Sequence, residues 1–368
     1  MADYEITQVS SLEHDTLQGQ LNSLVMIDST HFILAYSGSG DDGYIKTFSI
    51  DGSYNITEID SLEHDTAYGH DNSLVMIDST HFILAYTGAS YDGYIKTFSI
   101  DGSYNITEID SLEHDTTQGF DNSLVMIDST HFILAYCGDG SYDGYIKTFS
   151  IDGSYNITEI DSLEHETTLG YDNSLVMIDS THFILACAGT ANDGYIKTFS
   201  IDGSYNITEI DSLEHDTVQG KYNSLVMIDS THFILVYAGT ADDGYIKTFS
   251  IDGSYNITEI DSLEHDTSQG WYNSLVMIDS THFILAYTSS SNDGLIKTFS
   301  IDGSYNITEI DSLNHDSSQG IHNSLTKISD SHYALAYTGY GADGFIKVFS
   351  IELPSGGGSS FTPIIICS

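Results

Sequence analysis

Residues 61–110 read SLEHDTAYGHDNSLVMIDSTHFILAYTGASYDGYIKTFSIDGSYNITEID, and the 51 residues that follow repeat this stretch except in two short segments. The phrase SLEHDT or a near copy occurs seven times along the chain, and its copies begin at Ser11, Ser61, Ser111, Ser162, Ser212, Ser262 and Ser312. The spacing is 50 residues apart from one interval of 51. Self-similarity at such a period indicates a repeat architecture in which each copy is one structural unit.

Each copy contains four short segments that are rich in β-branched and aromatic residues and are bounded by Gly, Asp, Asn and Ser, as strands are. In the first copy these are residues 23–27 (SLVMI), 31–36 (HFILAY), 44–50 (YIKTFSI) and 54–59 (YNITEI). Residues 28–30 and 51–53 are predicted to form tight hairpin turns. Residues 36–43 are predicted to form a longer loop, and so is the stretch from Asp60 to the asparagine of the next copy that is equivalent to Asn22. Four antiparallel strands repeated seven times are typical of a β-propeller with one blade per copy.

The two ends of the chain predict how the ring closes. Residues 4–9 (YEITQV) match the fourth strand of a copy but precede the first complete copy, and the last copy lacks its fourth strand after residue 351. The N-terminal strand therefore completes the last blade and removes an open sheet edge. We predict an all-β, seven-bladed propeller over residues 1–351, with a Gly/Ser linker and an apolar tail over residues 352–368. The tail is expected to dock on the ring or on a neighbouring chain, or to begin a further part of the protein.

The chain resembles highly repetitive β-propellers with near-identical blades, over residues 3–351. Its blades are similar to WD-type (WD40-like) blades in placing His14 before the first strand, but the Trp-Asp pair is missing, as is the double glycine of kelch repeats. The resemblance implies the fold and a usual role in binding, and it transfers no catalytic residue.

Composition excludes several classes of partner and structure. The chain has 54 acidic and nine basic residues, all nine of them Lys, for a formal charge of −45, which disfavours nucleic acid as a partner. The 26 Tyr and 16 Phe residues disfavour disorder. No apolar run long enough to span a membrane and no signal-like N-terminus are present, so membrane insertion is not expected and the compartment stays open. The three cysteines form no disulfide or zinc motif.

The copies differ mainly in two segments. The first variable segment surrounds a glycine, and the two residues that follow this glycine are Gln20 and Leu21, His70 and Asp71, Phe120 and Asp121, Tyr171 and Asp172, Lys221 and Tyr222, Trp271 and Tyr272, and Ile321 and His322. The second variable segment precedes an Asp-Gly pair, and its candidate binding residues are Asp41, Tyr91, Tyr142, Asn192, Asp242, Asn292 and Tyr340.

Both variable segments should lie on one face of the ring, because successive antiparallel strands reverse direction and return the two longer loops to the same side. Loops that vary on a constant scaffold are typical of a recognition surface, and the aromatic side chains among them favour binding over drift. We therefore predict a non-enzymatic scaffold that binds one large partner, a protein or a cell or virion surface. The alternative is a lectin-like or cation-binding module with seven equivalent pockets built from the Asn22, Asp42 and His14 sets.

The residues that recur in every copy predict no catalytic site, metal site or cofactor, because a catalytic constellation is usually asymmetric. His14 and its equivalents are expected to tie the loop between blades to the strands through hydrogen bonds, and Glu13 and Asp15 would raise the histidine pKa if they are close. Asp28 and its equivalents follow the innermost strand, and a ring of such carboxylates near the channel mouth is a further candidate cation site.

Overall fold

The computed structural model describes residues 3–138 and 141–354, which form seven four-stranded antiparallel sheets, one for each blade of a propeller. The innermost strands are β2 (Gln20–Asp28), β6 (His70–Asp78), β10 (Phe120–Asp128), β14 (Tyr171–Asp179), β18 (Lys221–Asp229), β22 (Trp271–Asp279) and β26 (Ile321–Ser329). The second strands are β3 (His31–Ser37), β7 (His81–Thr87), β11 (His131–Gly138), β15 (His182–Ala188), β19 (His232–Ala238), β23 (His282–Thr288) and β27 (His332–Thr338).

The outer half of each blade follows the same order. The third strands are β4 (Gly43–Ile50), β8 (Gly93–Ile100), β12 (Asp143–Ile151), β16 (Gly194–Ile201), β20 (Gly244–Ile251), β24 (Gly294–Ile301) and β28 (Gly344–Ile351). The outermost strands are β5 (Ile56–Asp65), β9 (Ile106–Asp115), β13 (Ile157–Glu166), β17 (Ile207–Asp216), β21 (Ile257–Asp266), β25 (Ile307–Asp316) and β1 (Ile6–Asp15). Short 3-10 turns precede the third strand at Ser39–Asp41, Ala89–Tyr91, Thr190–Asn192, Thr240–Asp242, Ser290–Asn292 and Tyr340–Ala342. We number the blades 1 to 7 from β2–β5 to β26–β28 with β1.

The hydrophobic core lies between blades. The second and third strands are almost wholly buried, as strands that are covered on both faces must be. In one such layer, Ile33 and Ile45 of blade 1 pack against Phe82, Leu84 and Phe98 of blade 2. Each blade therefore depends on both neighbours for the burial of its apolar residues.

The predicted closure of the ring is confirmed. β1 pairs antiparallel with β28, with Ile6 opposite Ile351, and belongs to the same sheet as β26 and β27. The pairing continues past the strand, because the Glu352 N–H donates to the Glu5 carbonyl at 3.1 Å. The seven-bladed all-β architecture thus has its last blade assembled from both ends of the described chain.

The predicted strand boundaries need two corrections. The outermost strand runs through SLEHD to Asp65, where we expected a loop, and the innermost strand begins at Gln20 rather than at Ser23. Along the added part of the outermost strand, half-buried Leu62 and buried His64 alternate with exposed residues such as Glu63. This alternation is the period-2 pattern of a strand. The acidic residues of this segment have low β-propensity, so the sequence alone did not predict a strand here.

On the face that carries the tight turns, the blades are joined by repeated side-chain clamps. Between blades 1 and 2, the Tyr104 ring stacks on His31 with the centroids 3.6 Å apart, and its hydroxyl donates to Asp28 at 2.8 Å. Asp28 also accepts hydrogen bonds from Thr30. We call this surface the uniform face, because its turns are nearly identical in all copies.

Cys137 and Cys187 are free and buried. Cys367 and the proposed apolar tail beyond Pro354 lie outside the described residues, as do residues 139 and 140 in the second variable segment of blade 3. Within the described ranges no helix has the length and apolarity needed to cross a membrane.

Candidate functional site

The two variable segments contact each other around the ring. The Gly69 N–H donates to the Asp41 carbonyl at 2.8 Å, and the Gln18 side-chain amide donates to the Asp41 carboxylate at 2.8 Å. In the next blade the rings of Tyr68 and Tyr91 lie edge to face at 5.3 Å. Both segments therefore lie on one face, as the strand directions predicted, and we call it the variable face.

Close backbone packing explains why the glycines of these segments do not vary. A Cβ on Gly69 would lie 2.2 Å from the Cα of Gly43, and a Cβ on Gly43 would lie 2.4 Å from the His64 ring. Any side chain at either position would force the two loops apart. The variable side chains are thus carried by a backbone that the constant glycines hold in place.

The residue two places after each glycine adopts a left-handed backbone conformation. These residues are Leu21, Asp71, Asp121, Asp172, Tyr222, Tyr272 and His322, with φ between 49° and 54°. Non-glycine residues seldom adopt this conformation, and it commonly persists where a site requires it. These seven residues, one from each blade, line one central cavity at the propeller axis.

The central cavity has a volume of about 210 Å³. Its wall combines the seven left-handed residues with the asparagine that follows each of them: Asn22, Asn72, Asn122, Asn173, Asn223, Asn273 and Asn323. Each asparagine amide donates to the backbone of its own loop and to the backbone of the preceding blade, for example Asn122 to Gly119 at 2.9 Å and to Asp71 at 3.3 Å. The asparagine set therefore converges on one cavity and does not form seven separate pockets.

The acidic half of the cavity wall comes from blades 2, 3 and 4. Burial raises the pKa of Asp121 well above its usual range, and the charges of Asp172 and Asp71 add to this effect. Burial raises the pKa of Asp172 to about 6. Burial also raises the pKa of Asp71, against the hydrogen bond that its carboxylate accepts from Thr87 at 3.0 Å. Three carboxyl groups thus share a confined polar space, in which like charge further disfavours the ionisation of Asp121 and Asp172.

The other half of the wall is aromatic. The rings of Tyr222 and Tyr272 are 4.7 Å apart, and Tyr272 meets His322 edge to face at 4.5 Å. Burial lowers the pKa of His322 to about 4, so this imidazole is neutral at physiological pH. Trp271 packs behind this half, with its ring 5.7 Å from Tyr222.

A continuous strip of aromatic rings lies on the variable face of blades 2 to 4, and we call it the aromatic arc. It consists of Tyr68, Tyr91, Phe120, Tyr142 and Tyr171. Beyond the first pair, successive centroids are 5.5, 6.2 and 5.3 Å apart. Tyr91 is 52% exposed and Tyr142 is 39% exposed. Tyr68 is absent from the residues predicted from sequence, although the replacement of a recurrent Gln by Tyr was a usable signal.

The remaining predicted binding residues are spread around the variable face. Tyr340 is the most exposed large hydrophobic side chain of the described residues, at 74%, and it lies on blade 7, away from the aromatic arc. Asp242 accepts a hydrogen bond from the Gln219 amide at 2.6 Å. Asn192 and Asn292 occupy left-handed positions in their 3-10 turns. Gln20, Lys221 and Ile321 each begin an innermost strand and are partly buried.

The histidine set differs from its prediction. His14 is 5% exposed, and neither of its ring nitrogens has a hydrogen-bond partner among the described residues. We expected Glu13 and Asp15 to raise its pKa. Asp15 does so, but burial and the charge of Lys46 outweigh it and lower the pKa to about 3. The ring instead packs edge to face against Tyr36 of the next blade at 4.8 Å. His14 and its equivalents thus act by packing and are not available to line surface pockets.

The Asp28 set is also occupied by structural contacts. Burial opposes ionisation of Asp28, but hydrogen bonds from Thr30, Tyr104 and His31 lower its pKa to about 2. No group of three or more His, Cys, Asp or Glu side chains is placed to hold a metal ion in the part of the chain that the structure describes.

No protein-family model and no curated protein sequence matches the chain. Solved structures of similar architecture include the periplasmic gluconolactonase PpgL of Pseudomonas aeruginosa, with a TM-score of 0.62 and 12% identity over 77% of this chain and 82% of its own. The WD40 domain of Toxoplasma gondii coronin matches with a TM-score of 0.62 and 9% identity over 98% of this chain and 91% of its own. A Dyadobacter fermentans protein of unknown function matches with a TM-score of 0.56 and 12% identity, over 94% and 99%.

At these identities the likeness establishes the fold alone, and the predicted resemblance to WD40-type propellers is confirmed as architecture. The prediction that the chain is not an enzyme requires correction. One of the similar propellers is a gluconolactonase, so this architecture also carries enzymes. Repetition of side chains around a ring is therefore no ground for excluding catalysis, since blade-specific residues such as Asp71, Asp121 and Asp172 still meet in one cavity.

Proposed function

We propose that this protein is a binding scaffold whose variable face recognises one large, asymmetric partner, a protein or a cell or virion surface. The observation that carries the proposal is the aromatic arc, which is confined to one sector of a ring whose blades are otherwise near copies. Clustered aromatic side chains are the residues that most often dominate the affinity of an interface.

The asymmetry of the arc favours a single partner over repeated small ligands. Five rings lie in one strip on blades 2 to 4, whereas the equivalent positions include Gln20 and Asp41 on blade 1 and Lys221 and Asp242 on blade 5. A ligand that contacts the arc therefore meets different chemistry on either side of it. One orientation of one partner satisfies such a surface best.

The test compares two sets of substitutions in the intact chain. A partner is first captured from an extract and purified, and its affinity is then measured by biolayer interferometry. The triple variant Tyr91→Ser, Phe120→Ser, Tyr142→Ser should weaken binding at least about a hundredfold, because hot-spot residues contribute about 2 kcal/mol or more each. The control variant Ser53→Ala, Ser103→Ala, Ser154→Ala changes exposed turn residues of the uniform face and should bind as the parent does.

Circular dichroism separates lost binding from lost folding. Equal affinity of the arc variant and the parent would disprove the proposal. So would a loss of affinity that the uniform-face control reproduces.

A second candidate function rests on two equivalent cavities of the uniform face. One has a volume of about 240 Å³ and is lined by residues that include Asp78, Thr130 and Tyr155, and the other has about 230 Å³ and is lined by the matching Asp128, Thr181 and Tyr205. Cavities that recur between blades suit a small polyhydroxylated ligand bound in several copies. Stoichiometry separates the two candidates, because the variable face predicts one partner per ring.

A further inference from the structure

We propose that the central cavity receives the cationic head of a lysine or arginine side chain that the partner presents at the propeller axis. This inference rests on the proposed function, because it names the chemistry of the partner at the centre of the variable face. The occupant is a side chain of a protein rather than a free metal ion or a free amine.

The acidic half of the cavity supplies three carboxyl groups, whose ionised form a cationic head would stabilise. Asp71, Asp121 and Asp172 come from adjacent blades and line the same cavity of about 210 Å³. The charges of Asp71 and Asp172 raise the pKa of Asp121, and the charge of Asp71 raises that of Asp172, in keeping with their shared place in the cavity wall. A bound cation relieves repulsion among like charges and pairs with carboxylates through strong hydrogen bonds.

The aromatic half supplies a complementary surface for the same group. Tyr222 and Tyr272 line the cavity opposite the carboxylates, and their rings contact each other. An ammonium or guanidinium group is attracted to the face of such rings. A wall that combines carboxylates and aromatic rings suits an organic cation better than a metal ion, which prefers a shell of oxygen or nitrogen ligands.

An unmet acceptor provides a third, independent observation. Asn323 lines the cavity, is 9% exposed, and its Oδ1 accepts no hydrogen bond from any described residue. The Oδ1 atoms of the six equivalent asparagines are likewise buried and unpaired within the described chain. Buried acceptors are costly to leave unmet, and a cationic head carries several N–H donors.

Charge on the rest of the molecule favours a basic partner as well. Seven of the nine lysines donate to the carbonyl of a buried histidine in the neighbouring blade, as Lys46 does to His14 at 2.7 Å. Lys327 pairs with Asp330 at 3.3 Å at the end of the innermost strand of blade 7. Lys221 is thus the single lysine that the variable face presents among the described residues, and the field around the cavity is strongly negative.

The experiment uses Trp271, the single tryptophan of the chain, as a reporter, because its ring lies against Tyr222 on the cavity wall. The probe is the blocked tripeptide Gly-Lys-Gly, and its neutral counterpart carries an acetylated lysine. The lysine peptide should change Trp271 fluorescence in a saturable way at constant ionic strength, and the acetylated peptide should not. Spermidine and CaCl₂ are titrated in parallel.

Two double variants test the assignment to the cavity. Asp121→Asn with Asp172→Asn should weaken binding of the lysine peptide about tenfold or more, since each removes a charged hydrogen-bonding partner. The matched control Glu113→Gln with Glu164→Gln removes the same charge from exposed positions on outermost strands, and it should leave the affinity unchanged.

Each contrary result overturns the inference in a defined way. Equal responses to the lysine and acetyl-lysine peptides would exclude a cation site. An equal loss of peptide affinity in both double variants would show that the peptide responds to the net charge of the protein and not to the cavity. Binding of spermidine or Ca²⁺ without binding of the peptide would assign the cavity to a free amine or a metal. If the peptide fails but the arc variant still loses the partner, the proposed function stands and this inference alone is wrong.

Discussion

At six blade seams on the variable face, an imidazole packs between a glycine backbone and a tyrosine ring of the next blade. At the seam of His165, Cys187 stands in the place of the tyrosine. His114 illustrates the arrangement, because its ring is 4.5 Å from Tyr136 and lies against Gly93. Such interiors are packed too tightly to accept an added methyl group without movement. Packing therefore explains why the glycines and histidines of these seams are constant.

We predict that Gly93→Ala destabilises the protein, whereas Gly102→Ala does not. A Cβ at Gly93 would lie 2.4 Å from the His114 ring, and a Cβ at Gly102 would have no atom within 4 Å. The first substitution should cost about 1–3 kcal/mol, as overpacking does. Urea denaturation of both variants measures the difference, and equal midpoints would show that the seam is loosely packed.

The seven buried histidines predict unfolding in mild acid. Burial lowers the pKa of each to about 3 from a usual value of 6.5, and they are His14, His64, His114, His165, His215, His265 and His315. Between pH 6.5 and pH 3 these histidines are protonated in the unfolded chain but neutral in the folded chain. The free energy of unfolding therefore decreases as the pH falls from 6.5 toward 3. Each histidine removes at most about 1.4 kcal/mol per pH unit.

The three cavity carboxyls have the opposite effect on stability. A raised pKa such as that of Asp172 means that near pH 5 the folded state binds a proton more tightly than the unfolded state does. Seven histidines outweigh three carboxyls, and typical stabilities are about 5–15 kcal/mol. The far-ultraviolet circular dichroism signal should therefore collapse between about pH 4 and pH 6. Retention of the native spectrum at pH 4 would contradict the burial of neutral histidines.

At the scale of elements, the clamps of the uniform face join the turn of one blade to the innermost hairpin of the preceding one. Six clamps combine Asp, His and Tyr, including Tyr4 of the N-terminal segment on His282 and Asp279. The seventh, between blades 7 and 1, stacks Tyr54 on His332 at 3.7 Å but has Ser329 in place of the aspartate. Among the described residues, this seam lacks the carboxylate to which the other tyrosines donate.

We predict that Ser329→Asp stabilises the ring by about 1 kcal/mol, because it adds a hydrogen bond to a charged acceptor. The reciprocal variant Asp229→Ser removes the bond from Tyr305 together with those from Thr231, and should cost at least as much. Chemical denaturation of the two variants provides the comparison. Loss of stability in both would show that the seam of blade 7 is adapted to serine.

At the scale of the whole molecule, a charge of −45 opposes the compact state. The lysines that could offset it are mostly confined to blade seams, where Lys46, for example, also pairs with Glu58 at 2.9 Å. The exposed acidic side chains therefore repel one another across the surface.

Moderate salt should consequently raise the melting temperature, since the screening length falls to about 10 Å at 0.1 M ionic strength. Thermal melts in NaCl and in CaCl₂ of equal ionic strength measure the effect. A melting temperature that is indifferent to NaCl would refute the repulsion argument. A specific gain with CaCl₂ would indicate a cation site, as a ligand of the folded state stabilises it.

Much of the architecture was predictable from the sequence. The period of the copies determines the number of blades, and the displaced match of residues 4–9 to the fourth strand determines the closure. Both are local patterns that near-identical copies repeat seven times. The extension of the outermost strand to Asp65 was missed because acidic residues conceal the alternation of Leu62 and His64, which only burial against the next blade makes evident.

The chain by itself also determines which residues vary and that they occupy one face, because strand direction follows from strand order. Only the tertiary structure decides that Asp71, Asp121 and Asp172, about 50 residues apart in sequence, meet in one cavity opposite Tyr222 and Tyr272. The left-handed backbone at these positions and the radius of the ring set that convergence. Burial likewise decides the charge of the seven seam histidines, such as His14 and His114, since the cost of desolvating an imidazolium depends on neighbours that belong to another blade.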